Sequence, residues 1–271
     1  MVNQQDFQYM WQGKATRELS DKEASLLTPI YIESKQKKCG RALLLIHGFA
    51  SSPAMYRALH PMLKNYDALV CPALPGHAEN HTAFSSVTFN EWQKHAKDTC
   101  EALTRQYEHV EVVGLSLGGV LAYQIAHILP IKKLYLLAPA FKLRLNIPLA
   151  KTLGYILHAI GMRSINNRGG NLYTHEYEEL TYKKLPIHAI FELFKLIKSS
   201  SHSTLPCPTD LFLGVHDNVV DSDYLANVFD TNSLCTIHWL DRSAHALPLD
   251  GNIDFIARCI NRYKWSPVES A

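Results

Sequence analysis

The 271-residue chain lacks the features that mark several large classes of protein. Its 27 basic and 25 acidic residues give a formal net charge of +2, so it has no excess charge for binding nucleic acid. It has no apolar run long enough to span a bilayer, and its first residues lack a basic start followed by an apolar stretch. We therefore expect a cytoplasmic protein without nucleic-acid partners or stable membrane insertion. Its oligomeric state stays open.

Cysteine is scarce and is not spaced for metal binding. The six cysteines include no Cys-x-x-Cys pair, and several fall inside predicted buried strands or helices. We expect reduced thiols in the core, and neither a metal nor an organic cofactor. The cysteines stand at positions 39, 71, 100, 207, 235 and 259.

The chain does have enough apolar residues, 47% of the total, to bury a large single core. Apolar strand patterns alternate with helical patterns over most of its length, which predicts an α/β fold with a mostly parallel, doubly wound sheet. Residues 29–33 suggest an additional outer strand. Strands are expected at about 42–47, 68–73, 109–115, 133–138, 209–215 and 235–240, and helices near 53–65, 89–106, 117–129, 222–229 and 252–263.

The most informative motif is the pentapeptide Gly114-Leu-Ser-Leu-Gly118. It stands between an apolar strand pattern and an apolar helix pattern. A nucleophile on a tight strand-to-helix turn needs neighbours without a Cβ atom, because the backbones pass closely there. Ser116 is therefore the predicted nucleophile, and the alternative is a serine that only caps the helix.

A serine nucleophile needs a base and an acid to orient that base. Asp217 follows the predicted strand 209–215, and His245 lies in the loop after strand 235–240, so we assign them as acid and base. The order Ser, Asp, His along the chain is the one found in α/β-hydrolases. Asp241 also ends a strand and is the rival acid.

Two backbone N–H groups are expected to stabilise the oxyanion of a tetrahedral intermediate. One belongs to Leu117, the residue after the nucleophile, at a helix N-terminus. The other belongs to Phe49, in the loop after the strand that ends near residue 47.

These motifs together resemble the α/β-hydrolase superfamily, in its carboxylesterase and monoacylglycerol-lipase-like branch, over about residues 41 to 263. Family members often have glycine where this chain has Ala78, which is expected to alter the turn entering the active-site rim. The motifs are His47-Gly-Phe49, Leu74-Pro-Gly-His77, Gly114-Leu-Ser-Leu-Gly-Gly119, Gly214-Val-His-Asp217 and Ser243-Ala-His245.

About 65 residues separate two strands where the alternation needs only one helix. We expect residues 1–140 and 206–271 to form the hydrolase core and residues 141–205 to form an inserted helical cap. One apolar stripe in it runs from Leu149 to Ile160 and a second from Ile187 to Phe194; they either roof the site or merely pack on the sheet or each other. Residues 166–171 are the expected turn between the cap helices.

The expected activity is hydrolysis of small-molecule carboxylic esters with an apolar acyl chain, through an acyl-enzyme on Ser116. A thioesterase or acyltransferase could use the same residues, because the triad specifies a carbonyl and not its leaving group. A catalytically inactive binding module on the same fold is the third reading.

Overall fold

The structure, a computed structural model, describes residues 2–34, 40–200 and 204–262. Cys39 lies outside these residues, and the other five cysteines are free. Among the described residues, no helix is both long enough and apolar enough to cross a membrane.

Twelve strands and seven α-helices make up the described fold. The strands are β1 (Phe7–Trp11), β2 (Lys14–Glu18), β3 (Ile30–Glu33), β4 (Arg41–Ile46), β5 (Ala68–Cys71), β6 (His109–Leu115), β7 (Lys133–Leu137), β8 (Ser164–Asn166), β9 (Glu179–Tyr182), β10 (Lys184–Pro186), β11 (Thr209–Gly214) and β12 (Cys235–Leu240). The helices are α1 (His81–Ser86), α2 (Phe89–Gln106), α3 (Leu117–Ala126), α4 (Ile147–Ala159), α5 (Ile187–Ser199), α6 (Ser222–Phe229) and α7 (Ile253–Arg262).

A seven-stranded sheet forms the centre, in the order β12-β11-β7-β6-β4-β5-β3. All its pairings are parallel except that of the outer strand β3, which pairs antiparallel with β5. Strands β4, β6 and β11 are buried along their whole length, as expected for strands covered on both faces. The predicted mostly parallel sheet and the outer strand are confirmed.

Helices cover the sheet on both faces because the winding direction reverses at β4. The chain first moves outward to β5 and then crosses back to β6, β7, β11 and β12, so right-handed crossovers place the connections on opposite faces. Helices α2 and α3 pack together on one face. Helix α7 packs beside the β4–β5 connection, where the Asn261 side chain bonds Met62 and Lys64.

The predicted helix at 53–65 is wrong. Two short 3-10 helices, Pro53–Tyr56 and His60–Met62, take its place. Pro61 has no N–H to donate and its ring disfavours a continuous α-helix at this point.

The segment 141–205 contains α4 and α5 but also three short strands, β8, β9 and β10. The expected turn at 166–171 is therefore wrong in part, because β8 ends at Asn166 and two further strands precede α5. Strand β9 pairs with β1 of an N-terminal hairpin that the sequence reading did not predict. The division into a core and a cap stays a prediction.

The two apolar stripes of this segment have different surroundings. Ile187 and Phe194 of the second stripe are buried. Leu149 and Ile160 of the first stripe are 67% and 71% exposed, so the alternative in which this stripe packs on the sheet or on the second stripe is wrong for these two residues.

Candidate active site

Three side chains predicted to act together lie at one edge of the central sheet. Ser116 directly follows β6, Asp217 follows β11 and His245 follows β12. The carboxyl ends of parallel strands meet at one edge of a sheet, so the topology brings these three positions together.

Ser116 occupies a strained turn between β6 and α3. Its backbone has φ +54° and ψ −115°, a conformation that non-glycine residues rarely adopt. Hydrogen bonds hold it there. Its N–H donates to the carbonyl of Leu137 at 2.9 Å, and its own carbonyl accepts from the N–H groups of Gly119 and Ala140 at 3.0 Å each.

Glycines permit this turn because backbone segments cross closely around it. A Cβ atom on Gly118 would overlap the carbonyl oxygen of Ile46, and one on Gly114 would overlap the carbonyl of Gly118. A Cβ on Gly119 would come within 2.8 Å of the Pro139 side chain. The sequence reading of these glycines is therefore confirmed in physical terms.

The predicted acid and base are in direct contact. His245 Nδ1 lies 2.7 Å from Asp217 Oδ2, and the Asp217 side chain is fully buried. The other carboxylate oxygen, Oδ1, accepts the backbone N–H groups of Val219 at 2.7 Å and Val220 at 3.0 Å. With all these donors facing the carboxylate, Asp217 is fixed in one orientation.

Two further residues, missed by sequence reasoning, hold the His245 loop. Asn171 accepts the N–H of His245 on its backbone carbonyl at 3.0 Å. Buried Asp250 accepts the N–H groups of Ala244 and Tyr173 at 2.8 Å each, and both the N–H and the hydroxyl of Thr174. An isolated Asp and Asn in loops carry no spacing signal that could have identified them.

The protonation of His245 is governed by burial and by two carboxylates. Burial opposes the charged imidazolium, but Asp217, through charge and hydrogen bond, and Glu179, through charge, leave the pKa of His245 above its ordinary value. Burial also raises the pKa of Glu179, against the opposing effects of the Gly170 N–H and of His245. The two groups are thus electrostatically coupled.

The loop after β4 runs beside Ser116. A Cβ atom on Gly48 would lie 3.4 Å from the Cβ of Ser116. His47 fixes this loop: its Nε2 accepts the N–H of Leu74 at 3.0 Å, and its Nδ1 lies 2.9 Å from the Gly48 carbonyl. Burial lowers the pKa of His47 to about 4, so the ring is neutral and carries its proton on Nδ1.

The two predicted oxyanion donors belong to the residue after Ser116 and to the loop after β4. Leu117 is the first residue of α3, where an N–H has no acceptor within the helix. Among the described residues, the N–H of Phe49 donates to no backbone carbonyl. The next residue, Ala50, accepts the Thr181 hydroxyl at 2.8 Å, which connects this loop to β9.

The rival acid Asp241 and the nearby histidine His238 on β12 have other partners. Asp241 accepts the Asn252 side chain, and its backbone carbonyl lies 3.0 Å from His216, so it does not touch His245. His238 contacts Asp210 at 2.7 Å on β11. Neither pair reaches Ser116.

A cavity of about 580 Å³ contains both Ser116 and His245 in its wall. One part of the wall is apolar and consists of Phe49, Ala50, Ala140, Leu143, Ile165, Leu185, Leu193 and Val219. The other part is polar and consists of Asn166, Asn167, Arg168, Gly169, Asn171, Glu179 and Thr181. The cavity therefore suits a molecule with one apolar and one polar end.

Comparisons with known proteins agree with this architecture. The chain is 26% identical over 188 residues to a thermostable monoacylglycerol lipase of Bacillus sp. (strain H-257), covering 66% of this chain and 71% of that protein. It is 24% identical over 224 residues to a carboxylesterase of Bacillus subtilis (strain 168), covering 80% and 89%.

A solved structure described for LipS and LipT, two metagenome-derived lipolytic enzymes, superposes with a TM-score of 0.76 at 20% identity, covering 86% of this chain and 95% of that one. The model of the alpha/beta hydrolase family matches residues 43–258, which is most of the chain and includes Ser116, Asp217 and His245. The chain therefore belongs to the alpha/beta hydrolase family.

Proposed function

We propose that the protein is a serine hydrolase of carboxylic esters that uses Ser116, His245 and Asp217 as its catalytic triad. One observation carries the proposal. The 2.7 Å contact between His245 and buried Asp217 lies beside a cavity whose wall also contains the strained Ser116. A histidine oriented by a buried carboxylate and a serine held in a strained turn beside the same cavity are what acyl transfer needs.

In the proposed mechanism His245 Nε2 takes the proton of Ser116 Oγ as that oxygen attacks the ester carbonyl. Asp217 holds the proton on Nδ1 and stabilises the imidazolium that forms. The N–H groups of Phe49 and Leu117 donate to the carbonyl oxygen as it becomes negative. His245 then gives its proton to the departing alkoxide, and the acyl group remains on Ser116.

Water completes the cycle. His245 accepts a proton from a water molecule as the water oxygen attacks the acyl carbonyl. His245 then returns this proton to Ser116 Oγ as the carboxylic acid leaves.

The cavity supports an amphiphilic ester as the substrate. We assign its acyl chain to the apolar wall around Leu143, Leu185 and Leu193, and its alcohol to the polar wall around Asn171 and Glu179. In this proposal residues 141–205 act as the cap, because they supply much of both walls. The similarity to a carboxylesterase and a monoacylglycerol lipase supports the same substrate class.

Hydrolysis of p-nitrophenyl esters of increasing chain length, by the wild type and by Ser116→Ala, tests the proposal. We expect turnover by the wild type, with a preference that reflects the apolar wall, and no covalent turnover by the variant. Circular dichroism checks that the variant is folded. A Ser116→Ala protein that is still phosphonylated by a fluorophosphonate probe would overturn the nucleophile assignment.

Adding a thioester substrate to this assay separates the alternative functions. A wild type that cleaves a thioester far faster than its oxygen ester would replace esterase by thioesterase. A wild type that neither hydrolyses any ester nor reacts with the probe would indicate a binding module instead.

A further inference from the structure

The outward face of α4 is apolar, which is the reverse of an ordinary surface helix. Leu149, Leu153, Ile156 and Ile160 follow each other at intervals of four, three and four residues, so they lie on one face. Their exposed fractions are 67%, 53%, 55% and 71%. We call these four side chains the α4 face.

The opposite side of the helix packs on the protein, so the orientation of α4 is fixed by contacts. Gly154 is buried, and a Cβ atom there would lie 2.7 Å from the ring of Phe191 on α5. Tyr155 packs on the same Phe191 ring, with centroids 4.8 Å apart. The α4 face therefore points away from α5 and into solvent.

The α4 face is extended by the segments on both sides of the helix. Leu145 before it is 54% exposed, and Met162 after it is 44% exposed. Monomeric soluble proteins seldom leave such contiguous apolar surface uncovered without a partner for it.

Basic residues flank this apolar surface along the sequence. Residues 142–175 contain five basic residues and neither Asp nor Glu. Acidic residues adjoin the two ends of this segment. Asp221, at the start of α6, donates its N–H to the Lys142 carbonyl, and Glu179 and Asp250 accept the N–H groups of Gly170 and Tyr173. The five basic residues are Lys142, Arg144, Lys151, Arg163 and Arg168.

The same region borders the candidate active site. Leu143 and Ile165, on either side of α4 in the sequence, both line the cavity that contains Ser116. Ile165 is itself 36% exposed, so apolar surface continues from the outside of the segment into the cavity.

We propose that the α4 face and its basic flanks bind the protein reversibly to the surface of an anionic lipid layer. An apolar helix face with basic flanks is the composition of helices that lie in the membrane interface. Helix α4 has 13 residues, which is too short to span a bilayer but sufficient to lie on one.

Charge favours this occupant over a second copy of the chain. A two-fold interface brings the same patch of both copies together, so the basic flanks would face each other and repel. A lipid headgroup layer of negative charge attracts them instead.

Flotation with vesicles tests the proposal on the full-length chain. We expect the wild type to float with vesicles of 70% phosphatidylcholine and 30% phosphatidylglycerol at low salt, and to bind pure phosphatidylcholine vesicles at least about tenfold more weakly. Added salt should release it. Equal binding to the two compositions, or no binding to either, would overturn the proposal.

Matched variants separate the apolar and the charged contributions. Leu153→Ser/Ile156→Ser should weaken binding at least about tenfold, because both side chains lose apolar area to bury. Lys142→Gln/Arg163→Gln should weaken it about fivefold for each charge removed. The control Tyr31→Ser/Ile32→Ser removes two exposed apolar side chains from the edge strand β3 and should bind within twofold of the wild type.

Two measurements keep the outcomes distinct. If sedimentation equilibrium shows a wild-type dimer that Leu153→Ser/Ile156→Ser dissociates, and the wild type does not float, the occupant is a second copy and the lipid proposal fails. Flotation needs no turnover and is repeated with Ser116→Ala, so its result does not depend on the proposed hydrolase activity.

Discussion

His245 Nδ1 and Asp217 Oδ2 are 2.7 Å apart although 28 residues separate them in the sequence. The contact exists because β11 and β12 are parallel neighbours, so the loops that follow them begin at the same edge of the sheet. Asp217 is held from its other side by two backbone N–H groups, which leaves Oδ2 directed at the imidazole.

The first prediction is that Asp217→Asn lowers kcat for ester hydrolysis by about 10⁴-fold. The amide would favour the wrong tautomer of His245 and would not stabilise the imidazolium. Steady-state kinetics on a p-nitrophenyl ester measures the loss. Asp241→Asn is the matched control and should stay within about threefold of the wild type, because Asp241 does not touch His245. If the control loses activity and Asp217→Asn does not, the acid has been assigned to the wrong residue.

The second prediction concerns the acidic side of the pH profile. In the proposed mechanism His245 must be neutral to accept the Ser116 proton, so we expect activity to fall as the pH drops below the pKa of His245. Glu179 stabilises the imidazolium and raises that pKa. Glu179→Gln should therefore lower the pKa of His245 and move the acidic limb of kcat/KM to lower pH by up to about one unit.

The control for this shift is the same substitution at the neighbouring residue, Glu178. Glu178 pairs with Arg17 instead of facing the cavity, so Glu178→Gln should leave the limb in place. A limb that moves upward in Glu179→Gln, or moves equally in both variants, would contradict the electrostatic coupling.

The third prediction is that Asp250→Asn lowers the free energy of unfolding by about 3 kcal/mol and reduces kcat more than it changes KM. An amide nitrogen would face N–H donors that now point at a carboxylate, leaving buried donors unpaired. The loop of His245 would lose the bond from Ala244 that holds it. Urea denaturation and steady-state kinetics measure both effects.

Asp254→Asn provides a matched change on the surface. Asp254 is exposed in the first turn of α7, so its stability and kinetics should remain close to those of the wild type. An Asp250→Asn protein that is destabilised but keeps its full kcat would limit Asp250 to a structural role.

The parts of the fold that follow from local sequence were predictable. The elbow at Ser116 combines a strand, two small flanking residues and a helix in one short stretch, and the central strands are continuous apolar runs. The strand patterns then placed Ser116, Asp217 and His245 each after a strand, and their order along the chain matched that of α/β-hydrolases. Local patterns were enough because a parallel sheet brings the carboxyl ends of its strands to one edge, and with them the residues that follow the strands.

Long-range contacts were not predictable from the same patterns. Strand β1 pairs with β9, about 170 residues away, and no local signal connects them. The periodicity of α4 identified an apolar face but not which way it points, because that depends on Gly154 packing against Phe191. Asp250 accepts hydrogen bonds from the N–H groups of four residues, and three of these residues are brought to it only when the chain folds.

The fourth prediction is that His47→Asn makes stability less dependent on pH between about 6.5 and 4. Burial holds the pKa of His47 at about 4, below the value of about 6.5 in an unfolded chain, so the unfolded state binds the extra proton in this range. That histidine therefore contributes stability that is fully present above pH 6.5 and lost as the pH falls toward 4, on the order of 3 kcal/mol.

Comparing the stability of His47→Asn with that of the wild type at two pH values measures this contribution. At pH 7.5, His47→Asn should be about 2 kcal/mol less stable in urea denaturation, because the Leu74 N–H loses its acceptor. At pH 4.5 the difference should shrink or reverse, since only the wild type loses the stability of a neutral His47. His175→Asn, a change at an exposed histidine, should follow the wild type at both pH values. A stability gap for His47→Asn that stays the same at pH 7.5 and 4.5 would show that the pKa of His47 is not depressed in the folded protein.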